Sequence, residues 1–181
     1  RSVDNDQQWY TRQRQLWRLT PRQMEAYRLM TTWREGETRR RDLPRNWLIS
    51  DKLLFAIAEK MPSNRFELAD VEGIKPMLIK KEGDALLAMV KQAQHCDEEA
   101  LPKRWPDPMH PTFKSRFKAL KKAVTGKAND LGVAPEMLMR RRDIETLVMQ
   151  DLAGEPLTWP NGWRGECLNG ALAHALEEQA S

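Results

Sequence analysis

The spacing of apolar side chains is helical almost throughout the chain, and no segment shows the period-2 alternation of a strand. Thr20-Pro21 predicts a helix start, because Thr is a favoured N-cap and Pro suits the first helical position. The apolar positions that follow predict one buried stripe: Ala26, Leu29, Met30 and Trp33. We expect this helix to end near residues 41–42, because Pro44 disfavours helical geometry just before it.

Several shorter helices are predicted after this first one. Ser50 is placed to cap a second helix, and Pro62 stops it. Ser63 is placed to cap a short third helix. One further turn is expected at 77–81, and another helix after Gly83.

A change of composition divides the chain. Four prolines within ten residues cannot sustain a helix and predict a stiff linker: Pro102, Pro106, Pro108 and Pro111. The helical pattern then resumes to the end of the chain. We therefore predict an all-α chain of two small helical bundles joined by a Pro-rich linker. Its parts are a lead-in at 1–19, a first domain at 20–96, the linker at 97–111 and a second domain at 112–181.

The two bundles look like a degenerate duplication. An offset of 84 residues places Leu29 and Trp33 against Phe113 and Phe117. The match lies in the apolar pattern more than in residue identity, so it supports a duplication only modestly.

Composition narrows the class of protein. The 181 residues are 40% hydrophobic and 31% charged, and seven Trp argue against disorder. No apolar run approaches the roughly 20 residues of a membrane helix. The chain begins with Arg1 and lacks an apolar signal core, which predicts an excised part of a longer cytoplasmic protein. Two distant cysteines imply no disulfide framework.

Charge is unevenly distributed although the net charge is only +4. Residues 12–60 carry a net +6 and residues 101–143 a net +7, whereas 61–100 carry −3 and 144–181 carry −5. Two basic blocks thus alternate with two acidic blocks, so a basic face can be stronger than the total implies. The alternative is a solvated surface whose opposite charges pair locally.

One group of motifs resembles the HRDC domain, a module shared by RecQ-type helicases and ribonuclease D. The motifs are Trp33-Arg34-Glu35, Arg41-Asp42-Leu43-Pro44-Arg45-Asn46, Asp51 with Leu53-Leu54 and Ile57-Ala58, Gly73-Ile74, and Lys81-Glu82-Gly83 before Leu86-Leu87. The lead-in Trp17-Arg18-Leu19, a divergent second copy and the closing Gly162-Trp163-Arg164-Gly165-Glu166 resemble the ribonuclease D family in particular.

The resemblance implies a parent enzyme that removes nucleotides from RNA 3′ ends, including those of tRNA precursors, with two metal ions held by carboxylates. In that family the carboxylates lie on an N-terminal α/β domain outside this sequence. We therefore expect these 181 residues to be non-catalytic and to need no cofactor. The implied partners are RNA and the exonuclease domain of the same protein, with no membrane. Two roles stay open: holding RNA, or bracing the exonuclease domain and shaping the entrance to its active site.

Eight basic residues are the candidates for RNA contact: Arg45, Lys75, Lys80, Lys81, Lys114, Lys118, Lys121 and Lys122. The last four occupy one arc of a predicted helix and suit a phosphate backbone. Their plain alternative is the solvated face of an amphipathic helix. Lys75, Lys80 and Lys81 flank Gly73 and Gly83, where a turn would present them together with backbone N–H groups. Arg45 is expected in the loop after the first helix, where its side chain could reach a partner.

Other candidate chemistry is weaker. Asp143-Ile144-Glu145 matches the family's metal motif as a string but lies in a helical pattern, where alternate residues diverge by about 200°. The potential metal ligands lack paired spacing: His95, Cys96, His110 and Cys167. Trp33 is expected in the core. Trp105, beside two cations, is the aromatic candidate for stacking a base, with packing at the linker as the alternative.

Overall fold

The computed structural model describes residues 6–180, and within that range no strand is present. Nine α-helices lie wholly within it, which we label α1 to α9: Pro21–Arg41, Arg45–Leu48, Asp51–Lys60, Arg65–Ala69, Pro76–Gln94, Pro111–Leu131, Pro135–Leu138, Arg141–Ala153 and Gly162–Ala180. Three short 3₁₀ segments lie at Trp9–Arg12, Leu16–Arg18 and Glu98–Ala100. The predicted all-α class is confirmed. None of the described helices is long and apolar enough to cross a membrane.

Helix α1 begins and ends where the sequence predicts. Thr20 accepts a hydrogen bond from the Gln23 backbone N–H, and the Gln23 side chain accepts one from the Thr20 N–H, which together form a capping box. Pro21 is the first helical residue. The helix ends at Asp42, whose φ of 53° is left-handed. Helix α1 packs against α3 and α5 to form the core of the first unit.

The buried face of α1 is rotated by about 100° from the predicted stripe. Ala26 and Met30 of the predicted stripe are buried, whereas Leu29 is only half-buried. The full set of buried residues includes polar and charged ones: Met24, Glu25, Ala26, Tyr27, Met30, Thr31, Arg34, Glu35 and Thr38. The prediction that Trp33 lies in the core is wrong, since Trp33 is only half-buried. Arg34 is buried instead because partners compensate its charge. Its Nη2 lies 2.6 Å from Asp51 Oδ1, and its Nη1 donates to the Ile49 carbonyl oxygen.

Of the two N-cap residues predicted for the following helices, one is confirmed and one is wrong. Ser50 caps α3 as expected, by accepting from the Leu53 N–H. The N-cap of α4 is Asn64 rather than Ser63, whose hydroxyl bonds the Glu67 carboxylate.

The predicted break at Gly83 does not exist, because α5 runs without interruption from Pro76 to Gln94. Gly83 is buried, and a Cβ there would lie 3.4 Å from an Ile79 methyl group and 3.7 Å from a Leu68 methyl group. A Cβ would make only ordinary van der Waals contacts there, so the packing does not require a glycine, and Gly83 is accommodated inside the helix without ending it. At its other end α5 is capped by Arg22, whose Nη1 donates to the carbonyl oxygens of Ala93, Gln94 and Cys96 at 2.9–3.1 Å.

Two compact units divide between Arg104 and Trp105, inside the predicted linker 97–111. The 3₁₀ segments before α1 belong to the first unit, where Leu16 and Leu19 are fully buried. Trp105 is 3% exposed. It is therefore not available to stack an RNA base.

In the second unit α6 packs against α8 and α9. Its first three helices repeat those of the first unit at an offset of 90 residues, since α1 and α6 begin at 21 and 111, α2 and α7 at 45 and 135, and α3 and α8 at 51 and 141, whereas α9 begins 86 residues after α5. The predicted offset of 84 is wrong. It aligns Leu29 and Trp33 with Phe113 and Phe117, and Ile49, Leu53 and Leu54 with Val133, Met137 and Leu138. Leu29 and Trp33 are only half-buried in α1, so that part of the alignment follows the wrong stripe.

Candidate nucleic-acid interface

Four lysines form a row along one exposed face of α6, which we call the lysine row: Lys114, Lys118, Lys121 and Lys122. These positions fall within an arc of about 100° on the helix. The neighbouring arc is buried and holds Phe113, Leu120, Val124 and Ala128. Among residues 6–180, none of the four lysines forms an ion pair.

The length of the lysine row suits a nucleic-acid backbone. From Lys114 to Lys122 the helix rises about 12 Å, at roughly 1.5 Å per residue. Phosphates of one strand recur about every 3.4 Å along a duplex, so the row is long enough to face about three of them. Each ammonium is a mobile point charge that binds phosphate without requiring one geometry. Arg116 on the same helix is not part of the row, because it pairs with Asp151 in the α6–α8 packing.

Three exposed arginines stand at the start of α8, at 140–142, beside the same helix. Cations at a helix N-terminus oppose the macrodipole, so this placement costs stability. Arg141 is held by Glu145 at 3.1 Å, and its guanidinium carbon lies 4.8 Å from the centre of the Phe117 ring. The sequence prediction omitted these three residues, although their position against the macrodipole was a readable signal.

In the first unit Arg45 is already engaged within the protein. It lies in helix α2 rather than in the expected loop, and its Nε and Nη2 donate to the buried Glu35 carboxylate at 2.7 and 2.6 Å. Its guanidinium carbon is 3.7 Å from the centre of the Trp9 ring. The hydrogen bonds to Glu35 raise the pKa of Arg45. These contacts give Arg45 a structural role.

Three further arginines of the first basic block are also paired with carboxylates. Arg39 pairs with Asp6, Arg40 with Glu37, and Arg41 with Glu82 at 2.6 Å. Hydrogen bonding to Glu82 raises the pKa of Arg41. The first basic block therefore has less uncompensated charge than its net +6 indicates, because its arginines bind carboxylates of the same unit.

Lys75, Lys80 and Lys81 are exposed, but no turn at Gly83 presents them. Lys75 precedes α5 and the other two lie within it. Lys75 and Lys81 line a groove of about 430 Å³ that we call the Trp47 groove, while Lys80 does not. The groove lies between α2 and the start of α5, and Trp47 in its wall is 77% exposed. An exposed indole beside cations suits base stacking, so Trp47 is a stronger aromatic candidate than Trp105.

The candidate metal ligands of the sequence are not brought together in the described residues. Asp143 and Glu145 lie in α8, in agreement with the helical interpretation of that motif. Within residues 6–180, no three side chains of His, Cys, Asp or Glu are grouped so as to hold a metal ion.

Comparison with known proteins agrees with the motifs. Residues 23–90 match the HRDC domain family. Ribonuclease D of Pseudomonas paraeruginosa is 32% identical over 164 residues, which cover 89% of this chain and 44% of that protein. Ribonuclease D of Escherichia coli is 33% identical over 167 residues, covering 90% and 44%.

A solved structure shares the fold. The crystal structure of Escherichia coli RNase D, described as an exoribonuclease involved in structured RNA processing, matches with a TM-score of 0.73 and 30% identity, over 98% of this chain and 48% of that one. The chain spans less than half the length of these relatives. The predicted resemblance is confirmed: residues 23–90 match the HRDC domain family, and the chain is similar, over most of its length, to bacterial ribonuclease D.

Proposed function

We propose that this chain is a non-catalytic RNA-holding module of a ribonuclease D, which positions structured RNA while an exonuclease domain trims its 3′ end. The observation that carries the proposal is the lysine row of α6. Nearly all the arginines of α1 and α2 are bound to carboxylates, whereas these four lysines are exposed and without ion pairs among the described residues. Unpaired cations along one helix face are suited to phosphates of any sequence.

The proposal predicts electrostatic, sequence-tolerant binding. We expect the chain to bind a tRNA with a 3′ extension at micromolar affinity, with log K falling linearly against log salt concentration. The variant Lys118→Glu with Lys121→Glu removes two phosphate contacts and introduces two repulsive charges. It is expected to lower the salt slope by about 2 and to weaken binding at least tenfold at low salt. Fluorescence anisotropy across a salt series measures both quantities.

A matched control separates local from total charge. Lys52→Glu with Lys91→Glu changes the net charge equally at exposed positions of the first unit, which does not contain the lysine row. We expect its affinity and salt slope to stay near those of the parent chain. An equal loss of RNA affinity in both variants would show that only the net charge matters. The lysine row would then have no special role. Thermal unfolding of each variant checks that the fold is retained.

The exposed apolar surface of the first unit favours a second candidate function, which is bracing of the exonuclease domain. Phe66 is 86% exposed, Trp47 77% and Met77 57%. Trp47 and Met77 both line the Trp47 groove, and adjoining exposed apolar side chains are typical of protein contact surfaces. The bracing role predicts little RNA affinity in this chain but measurable association with a separately expressed exonuclease domain of ribonuclease D. Trp47→Ala is expected to weaken that association without changing the salt slope for RNA.

A further inference from the structure

The offset of 90 residues gives each residue of α1–α3 a counterpart in α6–α8. In the first unit this arrangement holds an aromatic ring. The Trp9 indole Nε1 donates to Asp51 at 3.3 Å, and the ring centre lies 3.7 Å from the Arg45 guanidinium carbon and 6.0 Å from that of Arg34. The segment before α1 therefore places a flat ring against all three helices.

In the second unit the corresponding place is an open pocket of about 180 Å³, which we call the α6–α8 pocket. Its lining residues are Phe117, Lys121, Val124, Thr125, Pro135, Glu136, Met139, Arg141 and Ile144. Val124, Pro135 and Arg141 are the counterparts of the three residues that surround Trp9. The pocket thus lies where the first unit holds its ring.

The chemistry of the pocket differs from that of its counterpart. Asp51, which accepts the indole N–H in the first unit, is replaced by Arg141, and the buried Glu35 is replaced by Thr125. Lys121 from the lysine row lies at the same pocket. A tryptophan placed here as Trp9 is placed in the first unit would lack the hydrogen-bond acceptor that Asp51 provides there. The complementary ligand is a flat ring joined to negative charge.

A nucleobase with its phosphates has this chemistry. Proteins hold unstacked RNA bases against aromatic rings and guanidinium planes, and Phe117 with Arg141 at 4.8 Å supplies both. Exposed cations continue on both sides of the pocket, with Lys118 and Lys122 on α6 and Arg142 on α8. The volume is below the roughly 300–1,000 Å³ of sites for drug-sized ligands, so it suits a single ring system.

We propose that the α6–α8 pocket takes one unstacked base of a single-stranded RNA while the lysine row holds the neighbouring phosphates. This inference rests on the proposed RNA-holding function and assigns its second unit a base-binding site. It predicts that binding depends on a base as well as on backbone charge.

The test compares two short, unstructured oligoribonucleotides of equal length, one carrying 2-aminopurine and the other an abasic residue at the same place. Thr125→Phe fills the pocket and leaves every cation in place. Thr112→Phe adds the same ring at an exposed position on the opposite side of α6 and serves as the control. Anisotropy gives the affinities, and 2-aminopurine fluorescence reports whether the base changes its surroundings. A synthetic acidic peptide with one tryptophan is tested as a competitor.

We expect the parent chain and Thr112→Phe to bind the base-containing oligonucleotide about tenfold more tightly than the abasic one, with a fluorescence change. Thr125→Phe is expected to lose that preference and the fluorescence change while keeping its salt-dependent affinity for the abasic RNA.

Equal affinity of the parent chain for the two RNAs, or a preference that survives in Thr125→Phe, would overturn the pocket assignment and leave the RNA-holding function standing. Absence of binding to either oligonucleotide would overturn the pocket assignment, whereas absence of binding to the extended tRNA as well would overturn the RNA-holding function. Displacement of RNA by the peptide, with equal affinity for the two RNAs, would assign the pocket to a protein partner.

Discussion

Removing the charge of Glu35 is expected to destabilise the first unit strongly. The Glu35 carboxylate is fully buried and accepts three hydrogen bonds, two from Arg45 at 2.7 and 2.6 Å and one from Arg34 at 3.2 Å. Glu35→Gln keeps the side-chain volume but leaves the buried Arg34 and the partly exposed Arg45 without a shared counter-ion. Asp51 at 2.6 Å still compensates Arg34 in part.

The magnitude follows from that geometry. Breaking a buried ion pair by removing one partner costs about 3–5 kcal/mol. For a unit of this size, about 4 kcal/mol corresponds to a loss of roughly 15–30 °C in melting temperature. The control is Glu59→Gln, which breaks the Arg18–Glu59 pair, whose side chains are 42% and 39% exposed. Exposed pairs contribute only about 0–1 kcal/mol, so we expect little change there.

Urea unfolding followed by circular dichroism measures the free energy of unfolding of each variant. The double variant Glu35→Gln with Arg45→Gln is expected to recover part of the loss, since it removes one of the two uncompensated cations. If Glu35→Gln costs no more than Glu59→Gln, the argument from the buried network is wrong. Should Glu35→Gln fail to fold, Arg45→Gln alone gives a milder version of the test, because Arg45 is 30% exposed.

Two further predictions concern packing and pH. Gly165→Ala is expected to lower the free energy of unfolding by about 1–3 kcal/mol, because its Cβ would lie 2.3 Å from the Pro160 carbonyl oxygen. Gly170→Ala has open space around it and should instead stabilise α9 by up to about 1 kcal/mol. Urea unfolding measures both variants, and a loss of stability in both would contradict the steric explanation. Hydrogen bonds from Arg40 and Arg41 lower the pKa of Glu37 from 4.5, so this carboxylate stabilises the fold above about pH 4.5 and the contribution is lost as pH falls through the lowered pKa. Glu37→Gln should have a lower free energy of unfolding at neutral pH, and this free energy should decrease less steeply below pH 4.5. An acid-unfolding transition identical to that of the parent chain would contradict this prediction.

The sequence predicts correctly that the lysines of the candidate site are exposed, but it does not predict which arginines are engaged within the protein. Lys118 and Lys121 are exposed on α6 as the spacing predicts, because long aliphatic stems with charged ends remain on the polar arc of an amphipathic helix. Arg45 was placed in a loop open to RNA, and its engagement by Glu35 and Trp9 depends on side chains 10 and 36 residues away. No local pattern contains that information.

The sequence by itself determined where most helices begin and end. Thr20 and Ser50 act through hydrogen bonds within three residues, and prolines restrict only their immediate neighbours, so these signals are local. The tertiary structure decided which face of α1 is buried. Arg34 is buried and Trp33 is only half-buried, because Asp51 of α3 compensates the charge of Arg34. A buried face predicted from apolar residues alone assumes that no charged side chain is buried. The same long-range pairing engages most arginines of α1, whereas the four lysines of the lysine row form no ion pair within residues 6–180.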